Sequence, residues 1–183
     1  MKKIILFFSL LSSLYAESTF YVGVNYGAFD EEFSELDASS STSIATLQFG
    51  YGDIKAYAVE FSLDYSKNRS KIFSSASSTP FDGDKYGFNV SLLKAFDFDY
   101  ALPFIKIGFG TGYLEIDRTL QDSLSYGSFQ LSVGSYIPLN NSFDIELGYE
   151  IKHISYEAID TITTNTSYNS VQNRAYLGIN YRY

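Results

Sequence analysis

The closing stretch VQNRAYLGINYRY, Val171 to Tyr183, decides the fold. Val171, Ala175, Leu177, Ile179, Tyr181 and Tyr183 fall on one parity; Gln172, Arg174, Tyr176, Gly178, Asn180 and Arg182 fall on the other. A period of two is a strand with one apolar face and one mostly polar face. Soluble domains seldom end on such a strand with a terminal aromatic. A last strand that must close a cylinder against the first, leaving no unpaired edge, has reason to do so.

Working backwards, seven more segments show the same alternation. They are Thr19 to Phe29, Thr42 to Tyr51, Lys55 to Tyr65, Lys85 to Phe96, Pro103 to Leu114, Ser125 to Ile137 and Phe143 to Tyr156. The third is clean: Tyr57, Val59, Phe61, Leu63 and Tyr65 oppose Ala58, Glu60, Ser62 and Asp64. The connections alternate in length. Asp30 to Ser41, Ser66 to Asp84, Glu115 to Leu124 and Glu157 to Asn169 are long and polar, whereas Gly52 to Ile54, Asp97 to Leu102 and Pro138 to Ser142 are tight turns.

One face of each strand carries Tyr, Phe, Val, Ile and Leu, while the other mixes charges with glycines. A soluble barrel would turn its apolar face inward. Here the small and charged residues suit a narrow lumen and the apolar ones suit lipid. The expected fold is therefore all-β, an eight-stranded antiparallel transmembrane up-and-down barrel, with tight turns at one end and loops at the other. With 17 Tyr and 16 Phe but a mean hydropathy of only −0.06, the composition matches half-lipid, half-lumen strands with aromatic girdles.

Met1 to Ala16 reads as a secretory signal peptide: Lys2 and Lys3, then an apolar run from Ile4 to Leu14, then a small residue before Glu17. Residues 17–183 form the barrel domain. No Cys occurs, which excludes disulfides and thiolate metal sites. The net charge of −8 argues against nucleic acid as a partner.

On these residues the chain resembles the small eight-stranded outer-membrane barrels of the OmpA-barrel and OmpX type. The terminal octet from Tyr176 to Tyr183 is similar to the signal read by the barrel-assembly machinery, with Gly178, Tyr181 and Tyr183 at its marked positions. The family more often ends in Phe, and the signal's first position is usually polar. The resemblance implies location in the outer membrane of a Gram-negative bacterium, as a monomer surrounded by lipid and lipopolysaccharide. It also implies a structural or surface-interaction role, adhesin-like or defence-like, toward a surface or host ligand met by the loops. A small porin-like pore is the alternative.

The inward parity collects Glu60, Asp64, Lys106, Glu146, Glu150, Lys152 and Arg174. Eight strands leave an interior that side chains just fill, so these charges are expected to pair into a plug. Lys55 and Lys94 lie outward near the tight turns, where long stems snorkel. His153 and Ser155, outward on the seventh segment, are similar to the His-x-Ser pair of lipid A deacylases, but Tyr156 follows where that family has Asn. No catalytic centre, cofactor or metal site is expected. The loop acids Asp30, Glu31, Glu32, Glu35, Asp37, Asp82 and Asp84 read as solvated surface. Phe33, Leu36, Ile72, Phe73 and Phe81 read as apolar points on loops, with Phe73 and Phe81 the candidate partner contacts.

Overall fold

A computed structural model describes residues 18–34, 39–68, 83–118, 121–160 and 165–183. The signal-peptide segment and the loop residues Glu35, Leu36, Asp37, Ile72, Phe73, Phe81 and Asp82 lie outside the described residues.

The alternating segments become strands β1 (Thr19–Phe33), β2 (Ser39–Asp53), β3 (Tyr57–Asn68), β4 (Gly83–Ala95), β5 (Leu102–Arg118), β6 (Gln121–Pro138) and β7 (Phe143–Tyr156). Two two-residue strands, β8 (Ile159–Asp160) and β9 (Asn165–Thr166), pair as a small ribbon before β10 (Asn169–Arg182). β1 to β7 and β10 pair antiparallel with their neighbours and close into one barrel. The closing ladder runs from Tyr21 opposite Arg182 to Phe33 opposite Ser170. The Tyr183 N–H donates to the Phe20 carbonyl at 2.8 Å below it, and the Ser34 N–H to the Asn169 carbonyl at 3.0 Å above.

Most strands run past the expected ends on the loop side. β1 continues to Phe33, and the β5–β6 hairpin continues through Arg118 and Gln121 with a register shift between Glu115 and Arg118. A membrane strand needs only about 9–11 residues to cross the hydrocarbon, so these extensions stand clear of it. The sequence misleads there because the outward residues turn polar (Asp30, Glu32, Glu115) while the inward ones stay buried. Phe33, read as an exposed loop residue, is in fact inward and buried, and so is Glu31.

The tight turns have local causes. Gly52 adopts φ +134°, open only to glycine, and starts the β2–β3 turn. Asp53 then accepts from the Lys55 N–H at 2.9 Å through its side chain and from the Ala56 N–H at 3.0 Å through its carbonyl. In the β6–β7 turn, Asn140 Oδ1 accepts from the N–H groups of Ser142 and Phe143, both at 2.9 Å.

Outward side chains form aromatic rows near each end. Tyr65, Tyr86 and Tyr113 are register neighbours with ring centroids 5.3 and 5.0 Å apart. Nearer the turns, Phe143 and Tyr181 pair at 5.0 Å. Inward glycines make room for large neighbours: the Tyr21 ring lies where a Cβ on Gly50 would stand, and the Tyr176 ring lies likewise over Gly148. Gly50→Val is therefore expected to destabilise the barrel by about 1–3 kcal/mol through forced displacement of Tyr21, read as a lower urea midpoint for the folded species.

Candidate functional site

The inward side chains divide the interior into layers along the axis. At the turn end, Ile54, Leu93, Leu102, Phe104 and Tyr136 form a buried apolar floor around Ala58. At the loop end, Phe33, Leu114, Ile116, Leu124, Ile154 and Tyr156 form a second. Between them lie the charges, because the middle of each strand alternates polar residues inward.

Just above the floor, Lys106 sits between two carboxylates. Its ammonium reaches Glu60 Oε1 at 2.8 Å, Glu60 Oε2 at 2.9 Å and Glu146 Oε1 at 2.9 Å, which uses all three of its hydrogens. Neutral donors complete the shell. Tyr21 donates to Glu60 Oε2 at 2.8 Å, while Gln48 and Asn180 donate to Glu146 Oε2 at 2.6 and 2.9 Å. Tyr176 donates to Glu146 Oε1 at 3.1 Å. Glu146 is 0% exposed. Removing such an ion from water costs several kcal/mol unless it is matched in this way.

The middle layer contains Asp64, Glu150, Lys152 and Arg174. Lys152 donates to Asp64 Oδ2 at 2.8 Å, and Thr46 to Asp64 Oδ1 at 2.6 Å. Arg174 is held more loosely, with Nη1 3.6 Å from Asp64 Oδ1 and 3.8 Å from Glu150 Oε1. Its firm contacts are a hydrogen bond to Thr46 Oγ1 at 2.8 Å and the Tyr176 ring, whose centroid is 4.8 Å away.

The seven inward charges read from the alternation thus lie together in two adjoining layers. The sequence reading missed two further pairs. Lys85 donates to both Glu31 oxygens at 3.1 and 2.9 Å and to the Tyr156 hydroxyl at 2.7 Å, and Ser170 donates to Glu31 Oε1 at 2.6 Å. Glu31 is only 1% exposed, so its reading as solvated surface is corrected. Arg182 reaches Asp144 Oδ1 at 2.7 Å near the floor. The signal for both was present: all four residues share the inward parity of their strands, but Glu31 lies past the expected end of β1.

Outside the lumen, Lys94 points outward and donates to the carbonyls of Lys55 and Ala56 at 3.1 and 3.3 Å, while Lys55 pairs with Asp97 at 2.6 Å. His153 and Ser155 are outward and exposed. The Ser155 hydroxyl donates to Asn169 Oδ1 at 2.8 Å, and among the described residues no hydrogen bond joins it to His153. Gly178 faces inward opposite Asn25, Tyr181 faces outward, and Tyr183 is 90% exposed at the chain end.

The model of the outer membrane protein beta-barrel domain matches residues 4–182. The chain belongs to that family. Its wall therefore faces outer-membrane lipid, with the turn end periplasmic and the loop end extracellular. Among solved structures, the chain is similar to Neisserial surface protein A, with 17% identity, a TM-score of 0.67, and coverage of 92% of this chain and 100% of that one. It is similar to AlkL in lipid bilayers at 16% identity and TM-score 0.60, covering 92% of each chain. It is also similar to Ail, the attachment invasion locus protein of Yersinia pestis, at 17% identity and TM-score 0.56, covering 92% of this chain and all of the other. At these identities the likeness is one of fold. A comparison with curated proteins finds no match.

The geometry ranks the charged residues. Lys106→Met strands two buried carboxylates, whereas Arg174→Ala leaves Asp64 with Lys152 and Thr46. Expected losses of barrel stability are about 5 kcal/mol for Lys106→Met and about 3 kcal/mol for Arg174→Ala, measured by equilibrium unfolding in lipid vesicles. The reverse order would mean that Arg174 is the hub.

Proposed function

We propose that this protein works at the cell surface, as a closed barrel that stabilises the envelope and presents its extracellular rim to a partner. The observation that carries this reading is the filled interior. Among the described residues, the charged layers enclose a cavity of about 20 Å³, and another of about 10 Å³ lies beside Tyr136 and Asp144. Each is roughly the size of one water. A conducting path needs a continuous polar bore, and two apolar layers and the Lys106 hub interrupt it.

The rim has a chemistry of its own. Asp30, Glu32, Glu115, Asp122 and Glu157 are exposed there, and so is Lys67. An acidic rim favours a basic partner or one bridged by divalent ions, and disfavours polyanions. Ail, to which the fold is similar, has been solved in complex with the heparin analogue sucrose octasulfate.

Two measurements test the reading. In a planar bilayer the refolded protein is expected to give no conductance steps; steady, reproducible openings would make it a pore, with Glu60, Lys106, Glu150 and Arg174 as its selectivity residues. In nanodiscs it is expected to be retained at low salt on immobilised polylysine and to pass over immobilised heparin. Retention on heparin would overturn the acidic-rim reading.

A further inference from the structure

The interior carboxylates are not equally matched. Glu31 has Lys85, Asp144 has Arg182, and Asp64 with Glu150 has Lys152 and Arg174. Glu60 and Glu146 share Lys106 alone among the described residues. With both ionised, this layer holds one buried negative charge in excess. A buried charge without its counterion costs far more than a neutral group in the same place, and an acid so placed takes up a proton instead.

The hydrogen bonds distinguish the two acids. Glu146 accepts from the amides of Gln48 and Asn180 at 2.6 and 2.9 Å, besides Lys106 and Tyr176. Those amides belong to a one-way chain: Asn25 Nδ2 donates to Gln48 Oε1 at 2.8 Å, and Gln48 Nε2 donates also to Asn180 Oδ1 at 2.6 Å. An amide N–H only donates, so this shell holds Glu146 as the carboxylate. Glu60 has one neutral partner, the Tyr21 hydroxyl, 2.8 Å from Oε2. A hydroxyl also accepts, so this bond survives protonation with its direction reversed, Glu60 donating to Tyr21. The Tyr21 hydrogen then turns to another acceptor. The Tyr136 hydroxyl is buried without a hydrogen-bond partner, and Tyr136 and Tyr21 line the same cavity of about 10 Å³. That cavity is roughly the size of one water, which can relay the bond.

We propose that Glu60 binds one proton in the folded barrel at neutral pH, as a carboxylic acid that donates to Tyr21 and leaves Lys106 paired with ionised Glu146. The titratable groups facing this layer are Tyr21 of β1, Lys106 of β5, Tyr136 of β6, Glu146 of β7 and Tyr176 of β10. β2 and β4 bring only the neutral Gln48 and Ser91. Asp64, Glu150 and Arg174 stand across the cavity of about 20 Å³, and the Asp144–Arg182 pair lines the smaller cavity beside Tyr21. The bound proton removes the excess charge and makes the plug a pH-sensitive lock. Its hold on the strands is greatest while Glu60 is neutral and weakens once the proton leaves in alkaline medium. The lock depends on the lumen alone and is independent of whatever the extracellular rim binds.

The test is equilibrium unfolding of the whole refolded barrel in lipid vesicles between roughly pH 7.5 and 9, where carboxyl groups of the unfolded chain are ionised while Lys and Tyr keep their protons. The folded state then binds one proton more than the unfolded state, so stability falls as pH rises. The unfolding constant is expected to climb about tenfold per pH unit, and to level off where the folded barrel releases the proton. A constant that stays the same across the range would mean that both acids are ionised and overturn the proposal. Glu60→Gln imitates the protonated acid, so a flat profile is expected, with a barrel more stable than the unaltered protein at the alkaline end. A slope that persists in Glu60→Gln would place the proton on another group and refute the assignment. The infrared spectrum of the unaltered barrel at neutral pH is expected to contain the carbonyl band of a protonated carboxylic acid, shifted in deuterium oxide. Its absence would overturn the proposal even if Glu60→Gln fails to fold.

Discussion

The pairing of β1 with β10 is the constraint from which the rest follows. Inside hydrocarbon no water is at hand to satisfy a free N–H or C=O, and each one left bare costs several kcal/mol. A sheet there has to meet itself. The ladder from Tyr21–Arg182 to Phe33–Ser170 does this, and it continues beyond the membrane on the loop side. Closure fixes which face of every strand looks inward, and so which side chains must share a narrow, nearly dry space.

That space explains the layering. A barrel of eight strands leaves room only for side chains. Glycines such as Gly50 and Gly148 admit the rings of Tyr21 and Tyr176, and these rings bring hydroxyls to Glu60 and Glu146. Buried ion pairs are weak evidence of stability taken singly, since desolvation offsets their attraction. What matters is matching: Lys106 spends every hydrogen on carboxylate oxygens, whereas Arg174 sits at 3.6 and 3.8 Å from its acids. The apolar layers at both ends keep solvent from competing with these contacts. In the function proposed above, an interior committed in this way leaves partner contacts to the extracellular rim.

The alternation of Val171 to Tyr183 and its seven counterparts determined the fold class, the inward and outward faces, the tight-turn end and the seven mid-lumen charges. Each of these depends only on a side-chain period of two, and that period is visible in one chain. The partners of those charges were not legible. Glu60 meets Lys106, and Glu31 meets Lys85, only once strand stagger carries distant strands to the same height. Glu31 and Phe33 were misread because polar outward neighbours ended the apolar pattern while pairing continued. The end layers, the looser grip on Arg174 and the unbalanced charge beside Lys106 were decided by tertiary structure, because they depend on where side chains from opposite walls meet across the lumen.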